Sequence, residues 1–282
     1  MNLLGIDFEE WYHPQLVEPY VLEKNKIPVM HKGLEKILNL LRITETRATF
    51  FFVGELLEAN PEMNDMIIAE GHEIAFHTMK HTRIDSENFS DVFKKELDKF
   101  DSVTKKKSIG FRAPTFSLNE KSSWIIKELV EHGYKYDSSI MPVKTKMYGV
   151  NHAQREPYKI SSLAIGKNDP QGKLFEFPLA VTKVLGKTIP ACGGFYLRLL
   201  PQRIIKNTIK SYEAQNIPAA FYIHSWELIP EFFPKIRLPW KENFITFFNI
   251  NRTYQKMFDL LNDFSFISFE SYLKNNKFSS KY

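Results

Sequence analysis

The feature that most restricts the fold of this chain is a regular alternation of short apolar runs with segments of helical periodicity. Buried strands are predicted at 3–8, 48–53, 74–76, 109–112, 134–137, 174–184, 219–224 and 264–269. Amphipathic helices are predicted at 31–41, 61–70, 91–103, 119–132, 200–215 and 252–261. Strands separated by helices of this length indicate βαβ units with parallel strands. The chain should therefore form either an α/β barrel or a doubly wound sheet.

Reactive side chains occupy the same topological position on several predicted strands. Asp7, His77, Arg112, Asp137 and His224 each stand at the carboxyl end of a strand. In a barrel of parallel strands these ends meet at one mouth, which is where barrel enzymes carry their active sites. The pattern therefore favours a barrel over an open sheet.

The 282 residues, of which 43% are hydrophobic, are enough for one full core, so we expect a single domain over 1–282. Residues 138–172 show weak periodicity and several turn-forming residues, which predicts a long excursion from the barrel. Cys192 is the single cysteine, so no internal disulfide can form, and it is expected to be a small buried residue.

Charge and hydropathy bear on partners and compartment. Lys and Arg number 38 against 33 Asp and Glu, a net charge of +5, and the basic residues are dispersed except for a run at 105–107. Without a clustered basic patch interleaved with aromatics, nucleic-acid binding is not expected. The N-terminus lacks the charged and long apolar regions of a signal peptide, and no apolar run is long enough for a transmembrane helix. These patterns predict a cytoplasmic protein.

Two histidines four residues apart, His77 and His81, are candidates for a divalent-metal site, since positions i and i+4 of a helical turn share a face. A third ligand is needed, and Glu9 could supply it. Asp7 is two residues before Glu9 in extended geometry and would be free to act as a base towards water. The alternative is a solvated acidic strand end together with surface or capping histidines.

Two further pairs complete the predicted chemistry. Arg112, just ahead of the rigid Pro114, could hold Asp7 through two parallel hydrogen bonds, or could form an ordinary surface ion pair. Asp137 could orient His224 and favour its imidazolium form, making it a proton donor. The alternative for His224 is a core histidine with a backbone partner.

The order of these motifs resembles the polysaccharide deacetylase superfamily, also called carbohydrate esterase family 4 or NodB homology. The motifs are Asp-x-Glu at 7–9, His-Thr-x-x-His at 77–81, Arg-x-Pro at 112–114, Asp-Ser-Ser at 137–139 and Ile-His-x-Trp at 223–226. Longer stretches are similar to the branch found with bacterial exopolysaccharide gene clusters: 6–11, 136–142, 175–178, 193–201 and 224–227. The similarity extends over nearly the whole chain.

The resemblance implies a distorted, incomplete (β/α) barrel of about seven parallel strands. It also implies a divalent metal, most often Zn2+, and hydrolysis of an N-acetyl group on an amino sugar. Carried over by motif, the metal ligands are Glu9, His77 and His81, the general base is Asp7 and the general acid is His224. Arg112 would position Asp7, Asp137 would tune His224, and the backbone N–H of Thr115 would help to bind the oxyanion.

The sequence departs from the family pattern in two places. Glu9 stands where most relatives have aspartate, and no tryptophan follows Asp-Ser-Ser at the usual groove position. Trp11, Trp226 and Trp240 are possible substitutes, because large aromatic faces stack on sugars. Three charged residues of the closer branch's motifs could line the pocket or brace it: Glu176, Arg198 and Glu227.

The predicted function is metal-dependent N-deacetylation of an acetylated amino sugar in a polysaccharide, oligosaccharide or biosynthetic precursor. One alternative keeps the fold and the metal but takes a small amide or ureide, as in the allantoinase-like relatives. A second is a catalytically silent glycan-binding module. The presence of base, acid and all three ligand positions disfavours the silent module.

Overall fold

The computed structural model describes residues 1–276. The strands are β1 (Asn2–Phe8), β2 (Thr49–Phe52), β3 (Glu73–Phe76), β4 (Gly110–Phe111), β5 (Tyr136–Asp137), β6 (Tyr158–Ile160), β7 (Leu174–Glu176), β8 (Val181–Val184), β9 (Lys187–Pro190), β10 (Ala220–His224) and β11 (Phe266–Ile267). The α-helices are α1 (Met30–Ile43), α2 (Gly54–Ala59), α3 (Glu62–Ala69), α4 (Ser90–Val103), α5 (Ile125–Glu131), α6 (Gly194–Leu199), α7 (Gln202–Ala214), α8 (Trp240–Phe247), α9 (Thr253–Asp263) and α10 (Phe269–Asn275).

The main sheet is mixed but predominantly parallel, in the order β10-β1-β2-β3-β4-β5-β7-β6, with β11 also paired to β1. The antiparallel member is β6, beside β7. Segments after β7 reach β10 from the other side: the Ala180 N–H donates to Ala220 O (3.0 Å) and the Tyr222 N–H to Cys192 O (2.6 Å). The sheet therefore curls into the incomplete barrel that the sequence predicts.

Strand alternation divides the core into two layers. On β1 the residues Leu4, Ile6 and Phe8 pack outward with the helices, whereas Leu3 belongs to a smaller cluster inside the barrel. This inner cluster also contains Phe51 and the first residue of α10, Phe269. Since successive side chains of a strand point to opposite faces, Asp7 follows Leu3 and Gly5 on the inner face. The alternation thus aims Asp7 into the barrel.

The sequence-based prediction of secondary structure is wrong in several segments. The run 174–184 is not one strand: β7 ends before Pro178, and β8 then pairs with β9 in a separate antiparallel hairpin. Proline lacks the N–H that would continue the sheet ladder, which explains the break. The chain at 264–269 forms a two-residue strand and then begins α10. The helices α2, α6 and α8 were not predicted.

The excursion at 138–172 is largely irregular and contains β6. Strands on both sides of it, β5 and β7, are neighbours in the main sheet. Residues 277–282 of the predicted domain lie outside the described residues. Among residues 1–276, no helix combines the length and apolarity needed to cross a bilayer.

Candidate active site

The carboxyl ends of the strands bring together most of the predicted site residues. Asp7 on β1 is in register with His224 on β10. His77 follows β3 directly, and its N–H donates to Phe52 O (3.0 Å) on the neighbouring strand. Arg112 follows β4, and its N–H donates to Phe76 O (3.0 Å). Backbone pairing thus fixes these positions before any side-chain contact is considered.

Glu9, His77 and His81 form a cluster whose nearest ligand-type atoms all lie within 4.8 Å of one another. Nδ1 of His77 lies 2.7 Å from Arg112 O, and Nδ1 of His81 lies 3.0 Å from His13 O. A carbonyl can only accept a hydrogen bond, so each Nδ1 must carry the proton. In the neutral ring, each Nε2 then keeps its lone pair for a ligand.

The two histidines are not on a helical turn, contrary to the sequence-based expectation. Thr78 and His81 have left-handed backbones, with φ 60° and 56°. The loop is tied instead to the start of α2, where the Gly54 N–H donates to Thr78 O (3.0 Å) and the Glu55 N–H donates to Met79 O (2.9 Å). The helix N-terminus has free N–H groups to offer, and these bonds hold the loop in place.

The donor set fits a divalent metal. Oε2 of Glu9 is buried and lies 2.6 Å from Nε2 of His81. Burial lowers the pKa of His77 to about 4 against the opposing effect of nearby carboxylates, so this ring is neutral at pH 7. Two nitrogens and one carboxylate are a donor set that suits Zn2+ and leave a coordination position open.

Glu9 is held by the short helical turn after β10. Ser225 Oγ accepts from the Glu9 N–H (3.0 Å) and donates to Glu9 O (2.8 Å). Trp226 Nε1 donates to Glu9 Oε1 (3.0 Å). Burial of Glu9 opposes ionisation, but His81, His224 and His77 outweigh it and hold the pKa of Glu9 below its usual range. The glutamate is therefore a fixed carboxylate.

Arg112 is fully buried and holds Asp7 by one hydrogen bond, not by the predicted two. Its Nη1 donates to Asp7 Oδ1 (2.6 Å), while Nε and Nη2 donate to Ser138 O (2.9 Å) and Ser138 Oγ (3.0 Å). The guanidinium group of Arg112 thus binds both β1 and the chain after β5. A Cβ at Gly5 would lie 2.6 Å from Nη1, so this position must remain glycine for Arg112 to reach Asp7.

The partner of His224 is Glu227 rather than the predicted Asp137. Nδ1 of His224 lies 2.9 Å from Glu227 Oε2, and the His224 N–H donates to the same oxygen (3.2 Å). Arg198 Nε donates to the other oxygen, Oε1 (2.7 Å). Burial alone would lower the pKa of His224, but Glu227 and the carboxylates of Glu9 and Asp7 raise it to about 9. The ring is therefore an imidazolium at pH 7.

Asp137 lies in a separate buried network. Ser139 Oγ donates to its Oδ1, and its other neighbour is Glu176, whose Oε1 accepts from the Ile140 N–H (2.9 Å). Burial raises the pKa of Asp137 to about 6 and the pKa of Glu176 well above its usual range. The pair therefore holds a proton and ties β5 to β7. It makes no recorded contact with His224.

A cavity of about 300 Å³ opens over this cluster and contains Asp7, Glu9, His77, His81 and His224 in its wall. Six aromatic residues from helices, a strand and a loop contribute to the rest of the lining: Phe116, Tyr148, Phe195, Tyr196, Tyr222 and Trp226. Tyr148 belongs to the excursion at 138–172, which contains no motif that would identify it. The volume is at the lower end of the range for small-molecule sites and suits about one sugar unit.

The predicted substrate-binding residues are divided between the cavity and other places. Thr115 lines the cavity with a left-handed backbone (φ 53°). Arg198 and Trp226 are in the wall, but their donors are used by Glu227 and Glu9. Trp11 is wrongly predicted: it is 2% exposed, and its Nε1 donates to Ile27 O (3.0 Å).

The sequence analysis did not predict two contacts of the site histidines, that of His81 with the His13 carbonyl and that of His224 with Glu227. The His13 carbonyl that orients His81 carries no side-chain signature at all. Glu227 does have a sequence signature, because a glutamate three residues after a helix-capping position commonly accepts a hydrogen bond from the backbone N–H of that position. The spacing of His224 and Glu227 matches this rule, and the His224 N–H donates to Glu227 Oε2 (3.2 Å).

Two protein-family models match the chain in succession. Residues 25–136 match the family Polysaccharide deacetylase, and residues 138–274 match a domain of unknown function, DUF3473. The first match contains His77 and His81, and the second contains His224. The carboxylates Asp7 and Glu9 precede both matches.

Curated relatives and a solved structure agree with the first match. The peptidoglycan deacetylase-like protein FGM2 of Gibberella zeae is 31% identical over 118 residues, which are 41% of this chain and 34% of that protein. The peptidoglycan-N-acetylglucosamine deacetylase of Bacillus cereus is 32% identical over 102 residues, 36% of this chain and 46% of that protein. The chain thus spans less than half the length of these relatives.

A crystal structure from Mycobacterium smegmatis, classed as a polysaccharide deacetylase, shares the fold with a TM-score of 0.56 at 16% identity. The superposition covers 99% of this chain and 91% of that one. The resemblance to the exopolysaccharide-associated branch stays a prediction. Residues 25–136 thus match the Polysaccharide deacetylase family, and the chain shares the fold of this crystal structure.

Proposed function

We propose that this chain is a metal-dependent hydrolase that removes the N-acetyl group of an amino sugar in a glycan or a biosynthetic precursor. The observation that carries the proposal is the shared cavity, in which a carboxylate base and a charged histidine stand beside a three-residue metal cluster. Acid and base are on neighbouring strands in register, so one acetamide can reach both. We also propose that barrel and excursion act as a single domain.

Glu9, His77 and His81 would hold the divalent ion, with Zn2+ favoured by the donor set. When bound, such an ion polarises the acetyl carbonyl and lowers the pKa of the attacking water towards neutrality. Asp7, fixed by Arg112, takes the proton from that water as it adds to the carbonyl carbon. The Thr115 N–H would donate to the carbonyl oxygen as it gains negative charge, since Thr115 lines the same cavity.

His224 completes the reaction by giving its proton to the amine as the carbon–nitrogen bond breaks. Its imidazolium is maintained by Glu227, and Glu227 is held in turn by Arg198. Acetate and the free amino sugar are the products. Base and acid are separate groups with opposite charge before the reaction, as general acid–base catalysis at neutral pH requires.

The test compares two substrate classes with the zinc-loaded protein. N-acetylglucosamine oligomers should release acetate, whereas small cyclic ureides should remain intact. Ring opening of a ureide without acetate release from any sugar would favour the small-amide alternative. Binding of the oligomers without turnover of either substrate would favour the silent glycan-binding module.

A further inference from the structure

Helix α8 combines two features that the proposed chemistry does not use. Its outer face carries Trp240, which is 82% exposed, and Phe244, one turn later, which is 42% exposed. These two large aromatics are four residues apart and so lie on one side of the helix. Exposed aromatic pairs of this kind are unusual on a surface without a partner.

The segment that leads into α8 is basic. Lys235, Arg237 and Lys241 are all exposed, and none of them forms an ion pair with another described residue. Of the two carboxylates in this segment, Glu231 is already paired with Lys36 (2.5 Å), and Glu242 is half-buried. Free positive charge therefore flanks the exposed aromatics, which is the charge that an anionic lipid surface complements.

The same helix borders the active-site cavity. Ile245 and Thr246, on the inner side of α8, are part of the cavity wall. Phe244 contacts Phe195, another wall residue, with ring centroids 5.9 Å apart. The apolar wall of the cavity is thus continuous with the exposed aromatic face.

We propose that α8 is a docking helix for an anionic membrane surface, with Trp240 and Phe244 entering the headgroup region and Lys235, Arg237 and Lys241 contacting lipid phosphates. An eight-residue helix is too short to span a bilayer, but an amphipathic helix with aromatics on one face and cations beside it lies in the interface. Trp is well suited to that depth because its ring is amphipathic. Docking would place the cavity mouth at the membrane. The substrate would then be an amino sugar carried on a lipid, an inference that rests on the proposed function.

Co-sedimentation with vesicles of equal parts phosphatidylcholine and phosphatidylglycerol tests the proposal, with no sugar present, so that its outcome is independent of any deacetylase assay. The protein should bind these vesicles, bind pure phosphatidylcholine vesicles far less, and lose binding at high salt. Trp240→Ala combined with Phe244→Ala should lower the partition coefficient by about tenfold or more. Removing the three cations together should have a similar effect.

Matched controls separate this surface from general stickiness. Leu163→Ala with Leu185→Ala removes two apolar side chains that are 96% and 98% exposed elsewhere, and should leave binding unchanged. A second control removes the same charge from the other basic run and should reduce vesicle binding far less: Lys105→Ala, Lys106→Ala and Lys107→Ala together. Trp240→Phe should keep binding but lose most of the blue shift of tryptophan emission, since Trp11 and Trp226 are buried and the half-buried Trp124 packs against Phe93.

Several results would overturn the proposal. One is absence of binding to the anionic vesicles, and another is equal loss of binding in the control and α8 variants. Self-association that depends on Trp240 and Phe244 without vesicles would show that a second copy covers this face instead.

Discussion

Two buried carboxyl groups, one at each end of the barrel, are shielded from water to a similar degree but differ in charge. Glu9 at the carboxyl end is 0% exposed and Glu73 at the amino end is 6% exposed. Burial disfavours the charged form of both. Three histidines around Glu9 reverse that effect and hold its pKa low. Among the described residues, no histidine has this effect on Glu73, and burial raises its pKa to about 7.

The neighbours of Glu73 are neutral donors. Tyr136 Oη donates to Oε1 (2.7 Å), the Glu270 N–H donates to Oε2 (2.9 Å), and Thr49 contacts Oε2. These bonds attach α10 to the end of the barrel. Partners rather than burial therefore set the charge of the two carboxyls: Glu9 is a carboxylate beside His77 and His81, whereas Glu73 attaches α10 to the barrel.

The largest expected effect comes from removing a metal ligand. His77→Ala should abolish stoichiometric metal in elemental analysis and reduce acetate release to background, because two residual ligands do not complete a site. His31→Ala, at an exposed position outside the site, is the matched control and should retain both. Full metal content in His77→Ala would show that the cluster is not the metal site.

Next in size is the loss of the base. Asp7→Asn keeps the shape of the side chain and leaves the metal cluster intact, so metal content should stay stoichiometric while kcat falls by about 10³-fold. Gly5→Ala should give an intermediate loss, since its Cβ would displace Arg112 from Asp7. Wild-type kcat in Asp7→Asn would exclude Asp7 as the base.

A smaller effect distinguishes the two candidate partners of His224. Glu227→Gln should lower kcat by about 10- to 100-fold with little change in metal content, because the imidazolium loses its carboxylate. Asp137→Asn should change kcat by far less, since Asp137 contacts Ser139 and Glu176 instead. The reverse ranking would restore Asp137 as the tuning residue.

The smallest effect on activity, and the clearest on stability, is expected at the amino end. The pKa of Glu73 is about 4.5 in the unfolded chain and about 7 in the folded protein, so its stabilising effect is complete below about pH 4.5 and is lost as pH rises through about 7. Glu73→Gln mimics the protonated form. It should remove up to about 3 kcal/mol of the fall in the free energy of unfolding between about pH 4.5 and pH 7. Turnover should not change.

Chemical denaturation at about pH 5 and about pH 8 measures that difference. Glu62→Gln, an exposed glutamate at the start of α3, should keep the wild-type pH dependence. An identical pH dependence in Glu73→Gln and the wild type would mean that Glu73 is charged in the folded state.

The sequence predicted the barrel, and it predicted that Glu9, His77 and His81 lie together, because both follow from the alternation of strands and helices. Alternating strands and helices specify parallel pairing, and parallel pairing places Asp7 beside His224 without further information. The predicted partner of His224, Asp137, was wrong because the choice between Asp137 and Glu227 depends on the directions of side chains that follow two different strands. Trp11 failed similarly: its type suits a sugar platform, but its indole N–H faces the Ile27 carbonyl.

The aromatic cavity wall was not predictable from sequence patterns. Phe195 and Tyr196 lie on α6, which was not predicted. Tyr148 lies in an irregular stretch whose conformation depends on tertiary contacts rather than on periodicity. The same holds for the loop at His77 and His81, where left-handed residues and the start of α2 replace the expected helical turn.

The most direct test of the central claim is the stoichiometry of acetate and free amine released from an N-acetylglucosamine oligomer by zinc-loaded, chelator-treated and reloaded protein. The account predicts equal amounts of acetate and new amine, loss of both on chelation, and recovery of both on reloading. Turnover that persists in metal-free protein, or no acetate from any N-acetylated sugar with metal bound to Glu9, His77 and His81, would contradict it.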